Sequence, residues 1–168
     1  MSIEFNIAKC QTHSDNKIFG LCDDVAPDKN PAYIDEIDGS KWIAVVENEN
    51  RYSTTFTAID NCIEIKRPDG NMGKRCDGML SYKAAVIFVE LKQRGTKGSA
   101  WVKDAEQQLR ATIKVFENTD VSKKFTIKKA CISNSEQPKF KSSQSGRMEK
   151  FFTETAYVLR IEARIKLV

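Results

Sequence analysis

Histidine is nearly absent from the 168 residues of this chain, with His13 the single example. The sole imidazole argues against catalytic triads and acid–base pairs built on histidine. No apolar run approaches the roughly 20 residues that cross a bilayer, so no transmembrane helix and no membrane partner are expected. Met1–Asn6 carries neither the basic nor the apolar region of a secretory leader, which makes the expected compartment cytoplasmic. Cysteine is sparse and shows no paired short spacing: Cys10, Cys22, Cys62, Cys76 and Cys131 are an odd five. In a reducing compartment these read as free thiols, often buried. Cys10, His13 and Cys22 supply too few ligands for a zinc site. Internal repeats are missing as well.

What is present describes a folded domain. Apolar residues make up 40% and charged residues 30%, against disorder, and the length suits one domain over 1–168 with a real core. The net charge of +4 is unevenly spread. Residues 1–90 hold 10 basic and 15 acidic side chains, whereas residues 91–168 hold 17 basic and 8 acidic. Basic charge gathered in the second half points to a polyanionic partner, although a solvated face has the same composition.

Along the chain, turn-formers such as Asp23-Asp24, Pro27-Asp28 and Asn30-Pro31 predict an irregular lead-in over 1–40. Trp42–Val46 and Thr54–Ile59 are rich in β-branched and aromatic residues around a polar Asn48–Asn50 tip, which predicts a hairpin. Cys62–Lys66 reads as strand and Pro68–Asn71 as a turn. Strands are expected near 75–82 and 84–92, then a helix from Ser99, its N-cap, to Phe116. Within that helix Val102, Ala105, Leu109, Ile113 and Phe116 recur at steps of three and four. A further strand is expected over 125–132, a mobile loop over 133–147, and one half-buried strand where Tyr157 to Leu167 alternates. Strands, one strong helix and more strands give an α/β (α+β) class with a mixed central sheet.

The chemistry gathers between Arg75 and Phe116. Ala84–Val89 is an unbroken apolar run that passes directly into Glu90-Leu91-Lys92, and Asp77-Gly78 lies thirteen positions before the glutamate. A buried strand that ends on two opposite charges calls for a cause. The side-chain period of two places Glu90 and Lys92 on one face and sends Leu91 into the core. Asp77 can meet Glu90 across the ladder. Two carboxylates and the Leu91 carbonyl offer hard oxygen ligands to Mg²⁺, with Mn²⁺ as a substitute, and Lys92 can steer or deprotonate a water.

This order of parts resembles the PD-(D/E)xK nuclease superfamily, whose restriction-endonuclease-like core is a central mixed β-sheet flanked by helices. In that family a hairpin aspartate precedes a strand ending in Glu-x-Lys, and a helix follows. The matching residues are Asp77, then Glu90-Leu91-Lys92, then the helix bearing Glu106-Gln107-Gln108, within about 65–135. Cys76 stands where the name-giving proline would be. The resemblance implies a Mg²⁺-dependent deoxyribonuclease of restriction, repair or phage defence, with Asp77, Glu90 and Leu91 on the metal. Lys92 would be catalytic, and Gln108, preferred to Gln107, would orient the site. An assisting glutamate has three candidates, Glu36, Glu47 and Glu49. Lys97, Lys139, Lys141 and Arg147 are the expected contacts to the DNA backbone.

Glu64-Ile65-Lys66 and Pro68-Asp69 imitate parts of the motif, but a turn follows the first and the second is itself a turn tip. The bland reading of Glu90 and Lys92 is an exposed strand-end ion pair worth less than about 1 kcal/mol. Two other functions fit the same residues, a non-catalytic nucleic-acid- or protein-binding subunit and a ribonuclease. A chain this small has no separate recognition domain, so a homodimer or a partner subunit is the expected source of target choice.

Overall fold

The computed structural model describes residues 3–24, 30–93, 100–135 and 144–168. Its middle layer is a six-stranded mixed sheet in the order β1 (Gln11–Ser14), β5 (Thr54–Ala58), β6 (Gly78–Tyr82), β7 (Ala85–Lys92), β8 (Ile127–Asn134) and β9 (Val158–Ile161). From β1 to β7 neighbours are antiparallel, and from β7 to β9 they are parallel. Each parallel step needs a crossover. Helix α1 (Ala100–Glu117) lies between β7 and β8 in the chain, and α2 (Ser145–Thr155) between β8 and β9. A second mixed sheet runs β10 (Arg164–Lys166), β4 (Ala44–Glu47), β2 (Ile18–Cys22), β3 (Tyr33–Asp35).

Strand β7 shows why the apolar run is continuous. Val86 and Phe88 face a core shared with Leu109, Ile113 and Phe116 of α1, while Ile87, Val89 and Leu91 face a core shared with Phe19, Leu21 and Val46 of the second sheet. A strand covered on both sides has no polar face to alternate with. Under the helices, Phe116 meets Phe5 and Phe88 edge-on at 5.2 and 5.0 Å between ring centres. The class is thus mixed α/β, compatible with α+β. Helices cover one face of the central sheet, and a sheet covers the other.

Several expectations are corrected. The lead-in over 1–40 contains β1, β2 and β3, and Phe19 and Leu21 are fully buried. Gly20 permits this, because a Cβ there would lie 1.9 Å from the Trp42 ring. Strands β4 and β5 form no hairpin, for each belongs to a different sheet. The Asn48 side chain is buried and bonds both the N–H and the carbonyl of Tyr52, which turns the chain from one sheet to the other. Cys62–Lys66 is no strand; only Lys66 bridges to Met72 around the Pro68–Asn71 turn, with Gly70 at φ 87°. The alternating terminal segment is two strands, β9 and β10, again in different sheets.

The expected loop over 133–147 is partly β8 and partly α2. Cys10 and Cys62 are joined by a disulfide, so among the five cysteines Cys22, Cys76 and Cys131 are free, and all three are buried. That bond also removes Cys10 from any zinc site. Among the described residues no helix is long and apolar enough to cross a membrane.

Candidate functional site

The site lies where the β6–β7 ladder runs out. The last paired residues are Gly78 and Val89, and immediately beyond them come Asp77 and Glu90. Gly78 is required by contact: a Cβ there would meet the Phe56 ring at 2.3 Å. Asp77 and Glu90 continue the ladder with their side chains. The Asp77 N–H donates to Glu90 Oε1 at 3.1 Å, and the Leu91 N–H donates to Asp77 Oδ2 at 2.6 Å. The N–H and C=O of a strand residue point to the same side, so the Leu91 carbonyl also faces the Asp77 side. Lys92 Nζ lies 3.2 Å from Glu90 Oε2 and keeps contact with solvent.

Both carboxyls are nearly enclosed, at 8% exposure for Asp77 and 2% for Glu90. Burial, then the charge of Glu90, raises the Asp77 pKa well above the usual carboxylate range. Burial raises Glu90 too, while its bonds to Asp77 and the charge of Lys92 pull it back. Two carboxyls whose charged forms burial opposes gain from a cation between them. The neighbouring Cys76 thiol is driven up by burial and then by Glu90, so it stays neutral and is no nucleophile.

Helix α1 closes the site from one side. The Thr112 hydroxyl accepts the Cys76 N–H at 2.8 Å and donates to the Gln108 carbonyl at 2.9 Å, which ties the Gln108–Thr112 turn to the residue before Asp77. Gln108 carries a buried side-chain oxygen without a hydrogen-bond partner, an available acceptor. Gln107 Oε1 instead accepts from Lys74 Nζ at 2.7 Å. The structure therefore gives the two glutamines separate surroundings.

A third carboxylate was missed in the sequence. Asp23 directly follows β2, and its backbone carbonyl accepts from Gln93 Nε2 at 2.8 Å, which fixes it beside the end of β7. Burial, then the charges of Asp77 and Asp60, pushes it up to about 7. A signal existed: Phe19–Cys22 is an apolar strand ending on acids, as β7 ends on Glu90. The three glutamate candidates lie in other settings. Glu36 accepts from Ser14, Glu47 pairs with Arg164, and Glu49 is exposed.

Among the described residues no three His, Cys, Asp or Glu side chains form a metal cage on their own. Mg²⁺ does not demand one, since it is usually held by one or two carboxylates and keeps several waters. Asp77, Glu90 and the Leu91 carbonyl are hard oxygen donors gathered at one strand end, the donor chemistry such an ion takes, and Gln108 on the neighbouring helix holds an unpartnered oxygen of the same kind. Lys97, Lys139 and Lys141 lie outside the described residues. Arg147 lies on α2 rather than on a loop, 3.1 Å from Glu106 of α1. No family model, curated protein or solved structure matches this chain.

Proposed function

We propose that this chain is a Mg²⁺-dependent nuclease that hydrolyses DNA phosphodiesters, with the restriction-endonuclease-like core of the PD-(D/E)xK superfamily. The observation that carries this reading is the pair of bonds at the open end of the β6–β7 hairpin, from the Asp77 N–H to Glu90 and from the Leu91 N–H to Asp77, with Lys92 3.2 Å from Glu90. The sequence of elements supports it: an antiparallel hairpin, a strand ending in Glu-Leu-Lys, a helix, then a parallel strand. An ordinary surface ion pair would not enclose its glutamate at 2% exposure.

Asp77, Glu90 and the Leu91 carbonyl would hold the cation, with Mn²⁺ as a substitute, and Gln108 would orient the site from α1. When bound, the cation draws off charge that develops on the scissile phosphate and acidifies a water. The part-exposed Lys92 ammonium positions that water and places a fixed positive charge beside the phosphate. Burial of both carboxyls limits water around the reacting group and strengthens each of these interactions.

One observation favours a second reading, a non-catalytic binding subunit. Asp77 and Glu90 each already accept a backbone N–H, so they can tie two strand ends together without an ion. Incubating plasmid, linear and single-stranded DNA with the protein in Mg²⁺ or Mn²⁺ decides between them, with EDTA, Glu90→Gln and Lys92→Met as controls. Cleavage that needs the metal and is lost in both variants supports the nuclease. A folded wild type that binds DNA and leaves every substrate intact overturns it in favour of the binding subunit.

A further inference from the structure

A polar groove of about 670 Å³ runs between α1 and α2. Its walls carry four cations, Lys103 and Arg110 from α1, Arg147 and Lys150 from α2, against two anions, Glu106 and Glu154. No aromatic ring lines it. The acids hold both arginines, and Glu154 also lies 3.9 Å from the exposed Lys150. Glu106 lies 2.9 Å from Arg110 and 3.1 Å from Arg147, and Glu154 lies 3.4 Å from Arg110, whose guanidinium also rests on the Phe151 ring at 4.8 Å.

This scaffold fixes two planar guanidiniums at set positions, which lowers the entropy lost when they bind an anion. Lys103 and Lys150 are exposed. Gln107 lines the groove and accepts from the Lys74 ammonium at 2.7 Å, and Lys74 precedes Asp77 by three residues in the chain.

We infer that the α1–α2 groove seats the sugar–phosphate backbone of the DNA strand whose scissile phosphate enters the Asp77–Glu90 site, an inference that rests on the nuclease reading above. Cations without stacking rings contact phosphates and read no bases, so the seat is indifferent to sequence. The ion-paired Arg110 and Arg147 position the strand, and the two exposed lysines supply most of the salt-sensitive attraction.

The test is fluorescence anisotropy with short labelled single-stranded and duplex DNA in Ca²⁺, across a salt series, for wild type and Lys103→Glu/Lys150→Glu. Both positions are exposed, so the fold is retained, and circular dichroism checks this. Loss of two phosphate contacts should lower the salt slope by about 1.8 and weaken binding at low salt by tenfold or more. The same variant should cleave DNA more slowly at limiting DNA while binding Mn²⁺ with wild-type affinity. Unchanged DNA affinity and slope overturn the groove, even if the wild type cleaves DNA, in which case the nuclease reading stands alone. A wild type that binds through the lysines but never cleaves leaves the groove standing and removes the nuclease. Binding of RNA, and not DNA, through the same lysines overturns the assignment to DNA.

Discussion

Replacing Glu90 by Gln separates a cation site from a structural interlock, because the two demand opposite changes in stability. Glu90 Oε1 accepts the Asp77 N–H, and a Gln amide oxygen can keep that bond. The variant loses the pairing of Oε2 with Lys92, whose side chain is 26% exposed. The freed ammonium returns to water, so this loss is about 1 kcal/mol or less. In exchange the protein no longer buries a second carboxylate beside Asp77, an arrangement that burial and mutual charge already oppose. In EDTA near pH 8 the Gln variant should therefore be as stable as wild type or up to about 2 kcal/mol more stable. At roughly 2–4 °C per kcal/mol for a chain of this size, its Tm is level or as much as about 8 °C higher.

Mg²⁺ should reverse that order. An ion at about a hundred times its Kd stabilises the wild type by about 2.7 kcal/mol, or roughly 5–11 °C, and leaves the variant where it was. Thermal melts of both proteins in EDTA and in Mg²⁺ will show whether the curves cross. If Glu90 is a structural anchor, removing one partner of a buried pair costs about 3–5 kcal/mol. The variant then melts at least about 6 °C below wild type in EDTA, and Mg²⁺ moves neither protein. That pattern refutes the reasoning.

Four further outcomes follow from the same structure. Gly78→Ala forces a Cβ to within 2.3 Å of the Phe56 ring, so chemical denaturation should find it destabilised by about 1–3 kcal/mol; a change under about 0.5 kcal/mol contradicts the packing described. Asp23, pushed up to about 7 from 3.8, holds an extra proton in the folded state between those values. The stability it contributes is full below about pH 4 and is lost as pH rises through about 7, a slope that Asp23→Asn should flatten in metal-free melts. Mg²⁺ affinity should rise over the same range as the ion displaces protons, and calorimetry that finds it falling is the contrary result. Reduction of the Cys10–Cys62 bond, whose ends are 52 residues apart, should cost roughly 2–4 kcal/mol in denaturant midpoints compared with oxidised protein; equal midpoints would contradict it.

The centre of the fold was legible because its signals are local. The predicted helical stripe Val102, Ala105, Leu109, Ile113 and Phe116 is buried in α1 throughout, and Glu90 and Lys92 share the face opposite Leu91. Asp77 and Glu90 meet as the spacing suggested. What escaped is set by packing between distant segments. Turn residues at Asn48–Asn50 mark a reversal but not which sheet receives the next strand, so β4 and β5 read as a hairpin. Alternation from Tyr157 to Leu167 is unbroken in sequence, since β9 and β10 each bury one face, but against different partners. Helix α2 was hidden by its Ser- and Gly-containing start, with Phe151 its one fully enclosed side chain. Asp23 joins the site across 54 positions of chain from Asp77, through contacts that no local pattern encodes.

The most direct test of the Asp77–Glu90 pair as a cation site is anomalous diffraction from a crystal soaked in Mn²⁺. The account predicts an anomalous peak bonded to the carboxylates of Asp77 and Glu90 and to the Leu91 carbonyl, at about 2.0–2.2 Å. Manganese bound elsewhere, with Asp77 and Glu90 still bonded to the backbone N–H groups and no ion between them, would contradict it.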